Sequence, residues 1–205
     1  MDVELRHFDV RLTPKLGELS RVVTGGRCVL SREPNELFTK FVKHFSSLKL
    51  KKNTPIAEWT RKIFDYFIKL GKDEGFITHS KNDPFEYLLD LCWIYKSEKP
   101  SLGWIETAFE IEFAGTFDAN IQEFYKLVDT KAYTKVLLCK SKMDELKELL
   151  FEARQAILSN PLKFVDENYL IIAILETRKN FIVNGYVMNS FGFAIQLEGK
   201  EFSKR

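Results

Sequence analysis

The sequence predicts an α/β protein, in detail an α+β arrangement in which a mixed sheet is flanked by helices, and three observations predict it. Apolar and polar residues alternate at a period of two through residues 104–114, the mark of a strand. Residues 56–70 and 143–159 repeat their apolar positions at three- and four-residue steps instead, the mark of a helix with one buried face. Glycine, proline and asparagine stand between such runs at 25–26, 71 and 75, 82–84 and 160–161, where turns are expected. Through the middle of the chain the resulting order is α-β-β-β-α-β, with an N-terminal β-hairpin before it and extra strands after it.

Residues 1–33 read as β. The segments 20–24 and 27–31 flank Gly25-Gly26, the pattern of a two-residue hairpin turn. Such a hairpin either covers a sheet edge or serves as an arm that touches DNA or a partner. Pro34 suits the first turn of a helix, and Leu37, Phe38, Phe41, Val42 and Phe45 give that helix an apolar stripe beside which His44 sits at the surface. Lys49, Lys51 and Lys52 form a basic connector. Thr54-Pro55 opens a second helix running to about Leu70, with Ile56, Trp59, Ile63, Phe67 and Leu70 inward, so that Trp59 reads as core.

Residues 75–79 are expected as a first strand, 85–95 as a second and 104–114 as a third. Thr116 can cap a helix to about Thr130 with Phe117, Ile121, Phe124 and Val128 buried. Residues 133–140 read as a central strand, and 143–159 as a helix with Leu146, Leu149, Leu150, Ala153 and Ile157 inward. Segments 169–175, 181–187 and 191–197 are further strands, with Asn184-Gly185 between the halves of the second, and the last six residues are expected to fray.

The second and third strands hold the chemistry. On the third, Ile105, Thr107, Phe109, Ile111 and Phe113 point one way and Glu106, Ala108, Glu110, Glu112 and Ala114 the other. On the second, Asp90 shares a face with Leu88, Cys92 and Ile94, an unusual setting for an aspartate. A hairpin folded about Pro100 sets position 90 opposite position 110, because the two numbers sum to twice the centre. Side chains so opposed have Cβ atoms about 5 Å apart. Carboxylates crowded in this way share protons or bind a cation, and Mg²⁺ or Mn²⁺ suits an all-oxygen donor set.

At 205 residues, 45% hydrophobic and 29% charged, the chain fits a single globular domain, 1–205. The formal net charge of +2 conceals an uneven distribution. Residues 40–72 hold nine Lys or Arg against two acids, and residues 83–129 hold ten acids against three Lys. A basic lobe beside an acidic core suits a protein that binds a polyanion with one part and a metal with another, and equally suits two solvated faces. Cys28, Cys92 and Cys139 are odd in number, far apart and set in apolar runs, which favours buried reduced thiols. The N-terminus lacks a signal peptide's basic start and apolar core, and no apolar run is long enough to span a bilayer. A cytoplasmic protein without membrane attachment is therefore expected. No P-loop, GxGxxG, GxSxG, HExxH or zinc-finger spacing is present in the sequence.

Asp90, then about twenty residues, then Glu110-Ile111-Glu112 on an apolar strand followed by a helix and another apolar strand, resembles the PD-(D/E)XK nuclease superfamily. The likeness is to the restriction-endonuclease-like subclass with glutamate in place of the motif's last lysine. The resemblance implies that Asp90 and Glu110 bind metal, that the Ile111 carbonyl is a further ligand, and that Asp90, Glu110 and Glu112 are the catalytic acids. Leu89 stands where the family has proline, and position 112 carries no lysine. Relatives also add an acid from the helix before the sheet, for which Glu58 is the nearest candidate, or a relocated lysine from the following helix, for which Lys126 is. For both, a solvated surface side chain is the alternative.

The expected activity is then metal-dependent hydrolysis of DNA phosphodiester bonds with Mg²⁺ (or Mn²⁺). Lys49, Lys51, Lys52, Arg61 and Lys62 would contact phosphates, and a homodimer would suit cleavage of both strands. The alternatives are a catalytically inactive nuclease-fold module that binds nucleic acid or protein, and an interaction protein whose Glu110 and Glu112 are the wet face of an edge strand.

Overall fold

A computed structural model describes residues 33–48, 54–81, 88–95 and 104–203. The expected N-terminal hairpin lies outside these, as do Cys28, Lys49, Lys51, Lys52, the turn at 82–84 and the whole 96–103 connection. Among the described residues there are four helices, α1 (Pro34–Ser47), α2 (Ile56–Asp73), α3 (Phe117–Asp129) and α4 (Met143–Ser159). Seven strands join them: β1 (Ile77–Ser80), β2 (Leu91–Ile94), β3 (Ile105–Glu112), β4 (Thr134–Ser141), β5 (Asn168–Glu176), β6 (Asn180–Asn189) and β7 (Ala194–Ser203). The α-β-β-β-α-β succession expected from periodicity is the observed α2-β1-β2-β3-α3-β4.

The strands form one mixed sheet whose spatial order is the chain order. β1, β2 and β3 are antiparallel, β3, β4 and β5 parallel, and β5, β6 and β7 antiparallel. Two successive crossovers step in the same direction across the sheet, and α3 and α4 lie on one face, as two crossovers of the same hand require. The other face is covered by α1 and α2, whose Leu37, Phe38, Phe41, Phe45, Ile63 and Phe67 pack on Trp93, Phe109, Val136, Leu138, Leu170 and Ile172. Under α3 and α4 a second core joins Ile121, Phe124, Leu127, Leu149 and Ile157 to Cys92, Ala108, Leu137, Cys139 and Ile171.

Trp59 is partly buried and packs against the core, edge-on to Phe181 with ring centroids 4.9 Å apart. His44 stacks on Tyr66 at 3.9 Å and is half buried, which lowers its pKa. Cys92 and Cys139 are buried and form no disulfide among the described residues. Among the described residues no helix is long and apolar enough to cross a membrane.

The structure departs from the sequence reading at two glycines and two strand ends. α2 does not stop at Leu70 but continues through Gly71 to Asp73. A Cβ at Gly71 would lie 2.6 Å from Trp93 Nε1 and 2.7 Å from Thr78 Cγ2, so this glycine serves close helix-to-sheet approach, not helix termination. Gly185 likewise does not divide two segments, since β6 runs straight through it and Phe38 of α1 lies 2.8 Å from its would-be Cβ. Gly71→Ala is expected to cost about 2 kcal/mol or more in urea unfolding, because the indole it would displace also donates a hydrogen bond to Phe67 O at 3.1 Å.

β2 begins only at Leu91, so Asp90 stands just ahead of the strand. The last strand is shifted, with Ser190 and Phe191 forming the turn and β7 reaching Ser203 where fraying was expected. Pairing of Phe202 with Phe181, and packing of Phe202 on Phe45 at 5.2 Å, hold that end in place.

Candidate functional site

Asp90, Glu112, Lys81, Glu123 and Lys126, together with Leu88, Leu89 and Ile111, line a cavity of about 350 Å³. They come from the end of β1, the approach to β2, the end of β3 and the middle of α3. The register between β2 and β3 is Leu91↔Phe109, Cys92↔Ala108 and Trp93↔Thr107, the sum anticipated from a hairpin centred on Pro100. One residue beyond that ladder, Asp90 meets the start of the Glu110-Ile111-Glu112 segment. Its Oδ2 accepts the backbone N–H of Ile111 at 2.9 Å, and its Oδ1 accepts from Lys81 Nζ at 2.7 Å. In an extended strand the N–H and C=O of one residue leave the backbone on the same side. The Ile111 carbonyl therefore points to the flank that Asp90 occupies.

Glu110 is 1% exposed. β3 lies between β2 and β4 and is covered on both faces, which removes the reading of Glu110 as the wet face of an edge strand. Its Oε1 is a buried acceptor with no hydrogen-bond partner among the described residues, while the carboxyl shares a hydrogen bond with Glu123. Burial, then the neighbouring Asp90 charge, then the bond and charge of Glu123 push its pKa up to about 9, with Lys126 opposing. Glu110 thus holds a proton at neutral pH. Glu112, at the end of β3, is half exposed and accepts a very short bond from the Ala114 N–H.

Immediately after β3, Gly115 turns the chain with φ 76°, a conformation glycine adopts without cost. Thr116 then caps α3 through a 3.3 Å bond from the Ala119 N–H. That tight connection brings the second turn of α3 over the acids. Glu123 and Lys126, one helical turn apart, pair at 2.5 Å. Burial works against the charge on Lys126, but the Glu123 bond and the charges of Glu110, Glu123 and Asp90 outweigh it and raise its pKa.

Of the residues anticipated from sequence, Asp90, Glu110, Ile111, Glu112 and Lys126 are brought together. Glu58 is not: it lies on α2, pairs with Lys62 of its own helix at 2.7 Å, and is absent from the cavity lining. Arg61 is exposed on the same helix, 3.8 Å from Asp65. Two cleft residues were missed, Lys81 and Glu123. Glu123 was findable, since it falls three residues after Asn120 and four before Leu127, both buried, on the flank of the α3 stripe. Lys81 follows a four-residue strand and carried no signal.

Among the described residues no group of three or more His, Cys, Asp or Glu converges as a metal-ligand set. The cleft acids are engaged instead by ammonium groups, a backbone N–H and one another. The donor chemistry nonetheless suits a hard cation: carboxylate oxygens, one of them buried and unpartnered, and a peptide carbonyl on the same flank. Compared with known proteins, the chain matches no family model and no curated sequence.

Proposed function

We propose that the chain is a metal-dependent endonuclease that hydrolyses DNA phosphodiester bonds on a restriction-endonuclease-like core. The observation that carries this reading is the buried, unpartnered Oε1 of Glu110 beside Asp90, a crowded pair of acids of the kind that a bound cation would explain. Asp90, Glu110 and the Ile111 carbonyl would hold Mg²⁺ or Mn²⁺. When bound, such an ion polarises a phosphoryl oxygen and lowers the pKa of water.

Glu112, half exposed at the mouth, takes the proton of the attacking water. Lys126 supplies from α3 the positive charge that the resembled motif carries at position 112, and faces the phosphate. Glu123 positions Lys126 through their 2.5 Å pair. Arg61 and Lys62, on the helix beneath the other face of the sheet, stand apart from this cleft and would contact flanking DNA.

Cleavage of supercoiled plasmid in EDTA, Mg²⁺ and Mn²⁺ tests the reading. Metal-dependent nicking is expected from the wild type, with a loss of about 10²-fold or more in Glu112→Gln and Lys126→Met. Nicking that survives in EDTA would overturn it.

A nuclease-fold module that binds without cutting is the second reading, favoured by the engagement of Glu112 with the Ala114 N–H. It predicts that Mn²⁺ leaves the melting temperature unchanged and that no DNA substrate is cut.

A further inference from the structure

We propose that Lys81 is an exchangeable phosphate clamp, which holds Asp90 while the site lacks a cation and turns to a substrate phosphate once a divalent cation takes Asp90. The inference rests on the nuclease reading above and goes beyond it by giving a role to a residue outside the resembled motif.

Both carboxylate oxygens of Asp90 are taken in the structure. Oδ2 accepts from the Ile111 N–H at 2.9 Å and Oδ1 from Lys81 Nζ at 2.7 Å. The first partner is fixed, because it belongs to the backbone of β3, a strand paired on both sides. The second is an ammonium on a flexible stem just past the end of β1, with its side chain 54% exposed. Only Lys81 can yield Oδ1 to a metal ion without disturbing the sheet.

An ammonium displaced in this way does not leave the cleft. Lys81 lines the same cavity as Glu112 and Lys126, and its Nζ already sits 5.3 Å from the centroid of the Phe64 ring, a favourable resting place for a cation. A phosphate arriving with the metal offers it a new anionic partner. Lys126 behaves differently. Its partner is Glu123 of its own helix at 2.5 Å, not Asp90, so a cation that takes Asp90 leaves this pair in place. The cleft therefore has one stationary lysine and one that changes partners, and the second couples metal binding to DNA binding.

The test uses the full chain as wild type, Lys81→Met and Lys81→Arg. Calorimetric titration with Mn²⁺, without nucleic acid, is expected to show Lys81→Met binding about threefold tighter than wild type, because the competing ammonium is gone. Binding of a fluorescent DNA duplex is then measured in Ca²⁺ and in EDTA across a range of salt. In Ca²⁺ Lys81→Met is expected to bind several-fold more weakly, with a log–log salt slope smaller by about one. In EDTA it is expected to match wild type, and Lys81→Arg to retain the duplex affinity in Ca²⁺.

Unchanged or weaker Mn²⁺ affinity in Lys81→Met, with wild type binding normally, overturns the clamp and leaves the nuclease reading standing. Equal loss of duplex affinity in Ca²⁺ and EDTA also overturns it, since Lys81 would then be an ordinary phosphate contact. Absence of Mn²⁺ binding by the wild type removes the nuclease reading and the clamp together. Lys81→Met is expected to melt within a few degrees of wild type, because the pair it loses is half exposed.

Discussion

Glu110→Gln is expected to raise the melting temperature of the metal-free protein, by little at pH 5 and by roughly 5 °C or more at pH 8.5. The ordinary value for this carboxyl is 4.5, and the folded protein holds it at about 9. Between those two values the folded state binds a proton that the unfolded state has released. Stability therefore falls as pH rises through that window, at up to about 1.4 kcal/mol per pH unit for one group. The penalty is absent below the unfolded value and complete above the folded one. Glutamine keeps the shape and cannot ionise, so the variant loses the slope. Differential scanning calorimetry at several pH values reads it directly, and parallel curves for variant and wild type would refute the assignment. On the proposed nuclease reading Mg²⁺ is expected to oppose this order: the wild type would gain stability by mass action, the variant would not, and cleavage would fall by at least about a hundredfold.

The second large effect lies away from the cleft, between α3, β4 and β5. Lys135 is fully buried, and its ammonium donates to Glu167 Oε2 at 2.9 Å, to Tyr169 OH at 3.1 Å and to Val128 O at 3.4 Å. The Tyr169 hydroxyl donates in turn to Glu167 Oε2 at 2.8 Å. Burial lowers the pKa of Lys135, and Glu167 is the main group that offsets it. Glu167→Ala is expected to destabilise by about 3–5 kcal/mol in urea unfolding, because it strands a buried ammonium. Its loss should shrink as pH rises toward the ordinary lysine range, since the folded state of this variant sheds a proton that the unfolded state keeps. The double replacement Lys135→Met with Glu167→Gln, which removes both charges, should recover most of the loss. Additive losses in the double variant would show that the pair is not coupled.

Much of the cleft was legible because two periodicities cross there. A period of two placed Glu110 and Glu112 on one side of β3, and the hairpin sum placed Asp90 against them. A period of 3.6 left Lys126 off the main stripe of α3, and a short turn at Gly115 did the rest. Glu123 escaped because one helix flank can be core at its ends and site in its middle. Lys135 escaped for the opposite reason. It sits in an otherwise apolar strand, and its partner Glu167 lies 32 residues on, in a connection with no regular pattern. Gly71 and Gly185 were read as breaks because sequence shows what glycine permits the backbone, not what presses against the missing side chain. The β7 boundary failed because pairing with β6 and the Phe202 contact hold residues that have no alternation of their own.

The chain-ordered sheet has a consequence for biosynthesis. Each strand pairs with the strand made just before it, so the sheet can grow outward from β1 as the chain emerges, without any strand waiting for a distant partner. The cleft, from Lys81 to Lys126, is assembled early in that sequence. α1 runs contrary to it, being the first described helix made yet packing on β5, β6 and β7. Its phenylalanine stripe meets Phe67 of α2 early but is fully covered only once the last three strands are laid down. A nascent chain halted after β4 would thus carry formed acids and a partly covered α1, and a chaperone that holds apolar helices has its longest opportunity there.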